Sequence, residues 1–225
     1  MSDVKEIEEK LIMKHSYPVL SSALMQHRAA GMVMLLALVL YGCAAAKPRS
    51  DAAPASNTAI PAALPAAVIT SEVRADFDAA MLHIKAEEYD AGIELLNKVV
   101  KAVPNAAIPG INLALAYKKT DKLKQAEDSL KLALTAEADN PVANNELALL
   151  YRKTGRFTEA RQIYEKTLEK YPNFRIVHKN LGILCDLYMK DYECALKHYV
   201  FYSDVVQDDK TVKIWIADLQ KRSGR

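Results

Sequence analysis

From Val73 onward the apolar positions recur with a helical period, and the recurrence itself repeats along the chain. The stretches AGIELLNKVVKAVPN, AEDSLKLALTAEADN and ARQIYEKTLEKYPN are versions of one pattern. Their small residues, Gly92, Ala126 and Ala160, are spaced by 34, and Ala195 follows 35 later. The segment before each also lines up. Ala80, Ala114, Ala148 and Gly182 hold equivalent places, and Leu113, Leu147 and Leu181 come one position earlier. Tyr117 and Tyr151 come three positions later, with His83 and Cys185 in their place in the flanking units. This predicts four two-helix units, 73–106, 107–140, 141–174 and 175–209, the last carrying one extra residue near Met189. A single unit cannot bury its apolar stripe, so neighbours must stack.

Local signals place the helix ends. Asn140-Pro141 reads as an N-cap followed by proline at the first helical position. Pro104 and Pro172 end the second helices of units one and three. Asp90 and Thr158 are expected to cap second helices. In the final stretch, residues 210–225, Val212, Trp215, Ile216 and Leu219 share one stripe opposite a charged face. That is the pattern of a terminal capping helix. Trp215 is expected to cover the open end of unit four; its alternative role is stacking on a ligand.

The spacing and residue types resemble the tetratricopeptide repeat, with its L-[GA]-x-x-Y … A-x-x-x-F/Y … A … P signature. Leu147, Ala148, Tyr151, Gly155, Ala160, Tyr164 and Pro172 carry the resemblance best, followed by Leu113, Ala114, Tyr117, Ala126, Leu130 and Ala133. Unit one is degenerate in its first helix. The resemblance covers about three fifths of the chain. It implies an all-α, right-handed solenoid of about four hairpins over residues 71–209, plus the capping helix. It also implies a groove, lined by the first helix of each unit, that takes a protein or peptide partner. Carried over by position, the groove residues are Arg74, Phe77 and Asp78; Ile111, Asn112 and Leu115; Asn145, Leu149 and Arg152; and Lys179, Asn180 and Ile183. Asparagine amides at such places can bond a peptide backbone through donor and acceptor alike. The lysine/asparagine set of the family's carboxylate-binding members is incomplete, so that ligand is not expected.

The first seventy residues read differently. Met32 to Leu40 is an uncharged apolar run, MVMLLALVL, preceded by Arg28 and followed by Tyr41-Gly42-Cys43. Its length suits the core of a secretory signal, whereas a bilayer span takes about 20 apolar residues. Leu40-Tyr41-Gly42-Cys43 resembles the lipobox of bacterial lipoproteins, with Tyr41 departing from the usual small residue. The resemblance implies acylation of Cys43, cleavage before it, and anchoring in the cell envelope. Ala44 after the cysteine points to the outer membrane, facing the periplasm. The alternative is an ordinary signal peptide or an uncleaved single-pass anchor. Residues 1–31, with Glu6, Glu8 and Glu9, are too acidic and long for a signal's leading region, so 1–24 read as a spurious extension and 25–42 as the signal. Residues 43–70 hold four prolines and many alanines, a composition for a tether.

Charge and composition narrow the function. Lys plus Arg total 30 against 28 Asp plus Glu, a formal +2 without dense basic clusters, which does not favour nucleic acid as a partner. No phosphate loop, HExxH or GxSxG motif is present, and no acid, base and nucleophile cluster in sequence. An enzyme, a cofactor, a metal and a small-molecule substrate are therefore not expected. His178, Cys185, Cys194 and His198 are the candidate metal ligands. His178 and Cys185 are seven apart on one helix, about 10 Å along its axis, too far to share a zinc ion readily. A disulfide between Cys185 and Cys194 fits an exported protein; two buried free thiols fit the sequence equally well. The function expected is a lipid-anchored adaptor for a pilus or secretion, peptidoglycan or energy-transduction complex, with a structural periplasmic spacer as the alternative. The start assignment has a direct check. Mass spectrometry of the precursor should begin at Met25, and peptides from Val4 to His15 recovered from cells would refute it.

Overall fold

The computed structural model describes residues 69–224. The expectations for 1–24, for the signal over 25–42, for Cys43 and for most of the tether lie outside the described residues. Nine α-helices run through the described part: α1 Ser71–Lys85, α2 Tyr89–Ala102, α3 Ala107–Lys119, α4 Leu123–Ala136, α5 Pro141–Lys153, α6 Phe157–Lys170, α7 Arg175–Ile183, α8 Tyr192–Val205 and α9 Lys210–Arg222. A π-helical turn, Leu184–Met189, continues α7. There is no strand among the described residues. Helices α1/α2, α3/α4, α5/α6 and α7/α8 pair as hairpins, and each second helix packs on the first helix of the next unit.

The turns repeat as strictly as the helices. Inside each hairpin one residue takes a left-handed conformation: Glu87, Asp121, Gly155 and Lys190, at φ 61°, 55°, 81° and 56°. Only unit three uses glycine, the residue without a steric cost there. The next N–H closes the turn by donating back to the first helix. Glu88, Lys122 and Arg156 donate to the carbonyls of His83, Tyr117 and Tyr151, at 2.8–2.9 Å. In unit four Asp191 N donates to Cys185 O at 2.9 Å, across one residue more. The acceptors keep the 34-residue spacing and the donor is displaced by one. The extra residue near Met189 is therefore absorbed by the π turn, the standard way a helix accommodates a single insertion.

Asn140 caps α5, its Oδ1 accepting from Val142 N at 3.1 Å and Ala143 N at 3.0 Å. Asp90 and Thr158 do not cap. Helices α2 and α6 begin at Tyr89 and Phe157, behind Glu88 and Arg156, which make no side-chain cap bond. Both expected caps thus fall inside the first turn, and Asp90 instead accepts from Lys122 of the next unit at 2.9 Å.

The core follows the repeat. Ala80, Ala114, Ala148, Ala126, Ala160 and Ala195 are fully buried, as are Leu96, Leu130 and Tyr164 one turn further along the second helices. Tyr199 holds the corresponding place in unit four and is 1% exposed. Helix α9 has the layout of a fifth first helix. Its Val212 and Leu219 lie 35 residues beyond Val177 and Leu184, and all four are fully buried. Half-buried Trp215 packs with its ring 5.5 Å from that of Tyr199, closing the end of unit four.

A side chain packs tightly onto the helix backbone at Gly182. A Cβ there would lie 2.5–2.6 Å from the Tyr199 ring, which has no room to retreat. At Gly92 an added Cβ would meet the flexible end of Ile84 instead. Gly182→Ala should therefore destabilise by about 1–3 kcal/mol through overpacking, and Gly92→Ala by clearly less. Denaturant unfolding ranks the two, and equal losses would remove the close-approach explanation.

Candidate partner-binding face and its polar seam

The first helices of neighbouring units meet directly through polar side chains. Lys118 on α3 donates to Glu146 on α5. Asn180 Nδ2 on α7 donates to Asn145 Oδ1 on α5 at 2.8 Å, and Asn145 Nδ2 reaches Glu146 Oε1 at 3.3 Å. Asn112 Nδ2 turns back to the Ile108 carbonyl on its own helix at 3.1 Å. These amides and carboxylates are buried, and buried polar groups are expected to be bonded.

The seam ends at the capping helix. Lys179 Nζ donates to Asp209 Oδ2 at 2.8 Å, and both side chains are only 9% exposed. The Tyr202 hydroxyl donates to the same oxygen at 3.2 Å. The other Asp209 oxygen caps α9, accepting from Thr211 N at 3.1 Å and Val212 N at 3.2 Å. The Lys179 ammonium also lies 5.0 Å from the Tyr202 ring centre and 5.7 Å from that of Trp215, within cation–π range. Burial alone would raise the Asp209 carboxyl; Lys179, the Val212 N–H and the Tyr202 hydroxyl outweigh it and hold it below its usual range. Its stabilising contribution is thus present at neutral pH and lost only as pH falls through that lowered value. On the far side Arg222 of α9 donates to both oxygens of Asp186, at 3.0 and 3.3 Å.

The twelve groove positions separate accordingly. Arg74 and Asp78 are exposed, while Phe77 is buried in the unit-one core. Ile111 is fully buried, and Asn112, Asn145, Lys179, Asn180 and Ile183 are buried too. Arg152 is buried, its guanidinium 5.9 Å from the Tyr188 ring centre. Leu115 and Leu149 remain half-buried at the same place in consecutive units. The amides and ammonium expected to face a ligand are therefore used inside the chain: Asn145 and Asn180 bond each other, and Lys179 holds Asp209. Sequence inspection missed this seam. Its signal is pairs of complementary side chains about one repeat apart, such as Lys118 with Glu146, Lys153 with Asp121 at 2.8 Å, and Lys179 with Asp209.

Cys185 and Cys194 are joined as a disulfide, with Cα atoms 5.9 Å apart, linking the π turn to α8. Asp191 approaches both sulfurs, all within 4.8 Å. A disulfide offers no thiolate, and Asp191 already caps α8 through Cys194 N and accepts from Arg161 at 2.9 Å. These residues thus make a poor metal site. His178 and His198 pair with each other, their Nδ1 atoms 2.9 Å apart.

Stacked two-helix units, small residues at the close approaches and a terminal half-unit define an α-solenoid of helical repeats. Residues 119–181 match the family model for the tetratricopeptide repeat. The folds of MamA from Desulfovibrio magneticus RS-1 (TM-score 0.63, 11% identity, 70% of this chain and 88% of that one) and of PilF from Pseudomonas aeruginosa (TM-score 0.60, 20% identity, 67% and 68%) are similar. So is MamA of strain AMB-1, at TM-score 0.57 and 23% identity over 68% and 84%. No curated protein matches the chain. Residues 119–181 are thus a tetratricopeptide-repeat segment, and the described residues share the fold of MamA and PilF.

The seam yields a ranking of substitutions. Asp209→Ala removes a helix cap and strands a buried ammonium, so it should cost about 2–4 kcal/mol. Lys179→Met leaves an apolar chain in place and should cost less. Urea unfolding followed by fluorescence of Trp215, the only tryptophan, measures both, and the reverse order would sink the pairing argument.

Proposed function

We propose that this protein is a binding scaffold for another protein, held in the cell envelope by acylated Cys43 and serving the assembly or stability of an envelope complex. The observation that carries the binding role is the pair Leu115 and Leu149. They stand one repeat apart on the first-helix face, only half-buried, beside a seam whose polar groups are already satisfied. Such a face offers apolar anchor points on a rigid polar floor, without immobilising new polar partners. The tetratricopeptide fold is generally a non-enzymatic scaffold, and none of the ionisable groups in the seam is arranged as a nucleophile with its base.

The membrane half rests on the sequence before residue 69. No helix among the described residues is long and apolar enough to cross a membrane, and the lipobox-like stretch Leu40–Cys43 supports attachment through Cys43. Two or three acyl chains would make it firm. The Cys185–Cys194 bridge supports an oxidising compartment such as the periplasm.

In-cell crosslinking with Leu115→Glu plus Leu149→Glu tests the face. Partner recovery should fall at least tenfold while the melting temperature stays within a few degrees. Undiminished recovery would discard this face, and a wild-type protein that crosslinks to nothing would favour a periplasmic spacer. Cys43→Ser should abolish palmitate labelling and release the protein from membranes; persistent labelling would refute the anchor.

A further inference from the structure

The open end of the last hairpin is held differently from its turn end. At the turn, the disulfide ties the π turn to α8. At the open end, α7 and α8 meet through His178 and His198, both less than 9% exposed. The two Nδ1 atoms lie 2.9 Å apart, and His178 Nε2 lies 2.9 Å from the Pro172 carbonyl. A carbonyl only accepts, so His178 carries its proton on Nε2 and presents a lone pair at Nδ1. His198 must then donate its Nδ1–H into that lone pair. The His178 ring also stacks on Phe201, with centroids 3.8 Å apart. This pairing holds for two neutral imidazoles, or for a single proton added at the outer nitrogen of His198. It fails once His178 Nδ1 takes a proton, because two N–H groups then face each other.

The surroundings oppose protonation. Lys197 on α8 disfavours charge on both rings, and Arg161 on α6 disfavours it on His198, while the Pro172 carbonyl favours it on His178 and Asp191 on His198. Asp191 is already engaged by Arg161. Burial, then His178, push His198 down to about 4, and burial lowers His178 as well.

We infer that the His178–His198 contact is a pH-sensitive latch: acidification opens the free end of the α7–α8 hairpin while the Cys185–Cys194 disulfide keeps its turn closed. Opening is local because one end stays covalently joined. It reaches the candidate binding face because Lys179 and Asn180, next to His178, hold the capping helix and α5. The sign follows from proton uptake. An opened hairpin restores the ordinary histidine value near 6.5, so it binds protons that the closed hairpin refuses. Opening is therefore favoured as pH falls from about 6.5 towards 4. For His198, whose protonation the pairing tolerates but burial and the neighbouring charges oppose in the closed hairpin, a drop from pH 7.5 to 5 should raise the open fraction about 30-fold.

Amide hydrogen exchange on the full chain, disulfide intact and corrected for intrinsic rates, reads this directly. Peptides covering 174–183 and 196–205 should lose at least tenfold protection between pH 7.5 and 5.0, with 89–102 unchanged. His198→Gln, which bonds without titrating, should hold the change below threefold. Unchanged protection in the wild-type protein, or an equal loss in His198→Gln, overturns the latch. Should His198→Gln not fold, imidazole NMR of the wild-type chain decides. Titration of either ring below pH 5.5 together with the loss of protection supports the latch, and titration of both near 6.5 without it refutes it.

Discussion

Each hairpin leaves an apolar face that only a neighbour can cover, and the rest of the structure follows from that unmet burial. A hairpin of two helices of about 14 residues covers only part of its apolar surface, so a lone unit gains too little to offset the entropy of ordering it. The chain meets this with two devices. Small residues at Ala80, Ala114, Ala148 and Gly182 let the helices approach, and large residues at Leu96, Leu130, Tyr164 and Tyr199 fill the space beside them. Where the series stops, α9 supplies half a unit with Val212 and Leu219 turned inward and a charged outer face.

Stacking places first helices side by side, and their polar residues must then be satisfied across the joint. That explains why so many ion pairs and amide bonds span 28 to 36 residues, close to one repeat. Most of the exposed pairs among them contribute at most about 1 kcal/mol each. The buried ones matter more through what they forbid. With Asn145 bonded to Asn180, and Lys179 to Asp209, a slipped register would leave amides and an ammonium unpaired in the interior. The floor of the proposed binding face is therefore rigid and electrically quiet, and recognition falls to apolar contacts above it.

The period made the fold legible in the sequence. Positions such as Ala126, Ala160 and Leu147 show their role because backbone geometry ties residue type to place in every unit. The extra residue near Met189 was visible as a break in spacing, although its outcome, a π turn with Cys185 inside it, was not. Helix starts were less legible: Asp90 and Thr158 are good capping residues in the wrong register, since the left-handed turn begins the helix earlier. The site was the least legible part. A carry-over by position shows which residues face the first-helix side, but not that Asn145 and Lys179 have internal partners a whole repeat away. His178 and His198 stand 20 residues apart on facing helices, and that separation hides their nitrogen–nitrogen contact in the sequence.

Unit four concentrates most departures from the regular repeat. It holds the inserted residue, the disulfide, a glycine in place of alanine at Gly182, the histidine pair and the contact with α9. These are linked physically. A π turn widens the helix and weakens its hydrogen-bond ladder, and the disulfide ties that weakened turn to α8. The glycine makes room for Tyr199, whose bulk in turn supports Trp215 of the cap. In a linear array each joint transmits only to its neighbour, so an adjustable last unit can alter the capping helix and α5 while leaving units one and two in place. Regularity in units two and three and irregularity in the fourth are thus two halves of one arrangement: a fixed face for a partner and one end of it able to respond.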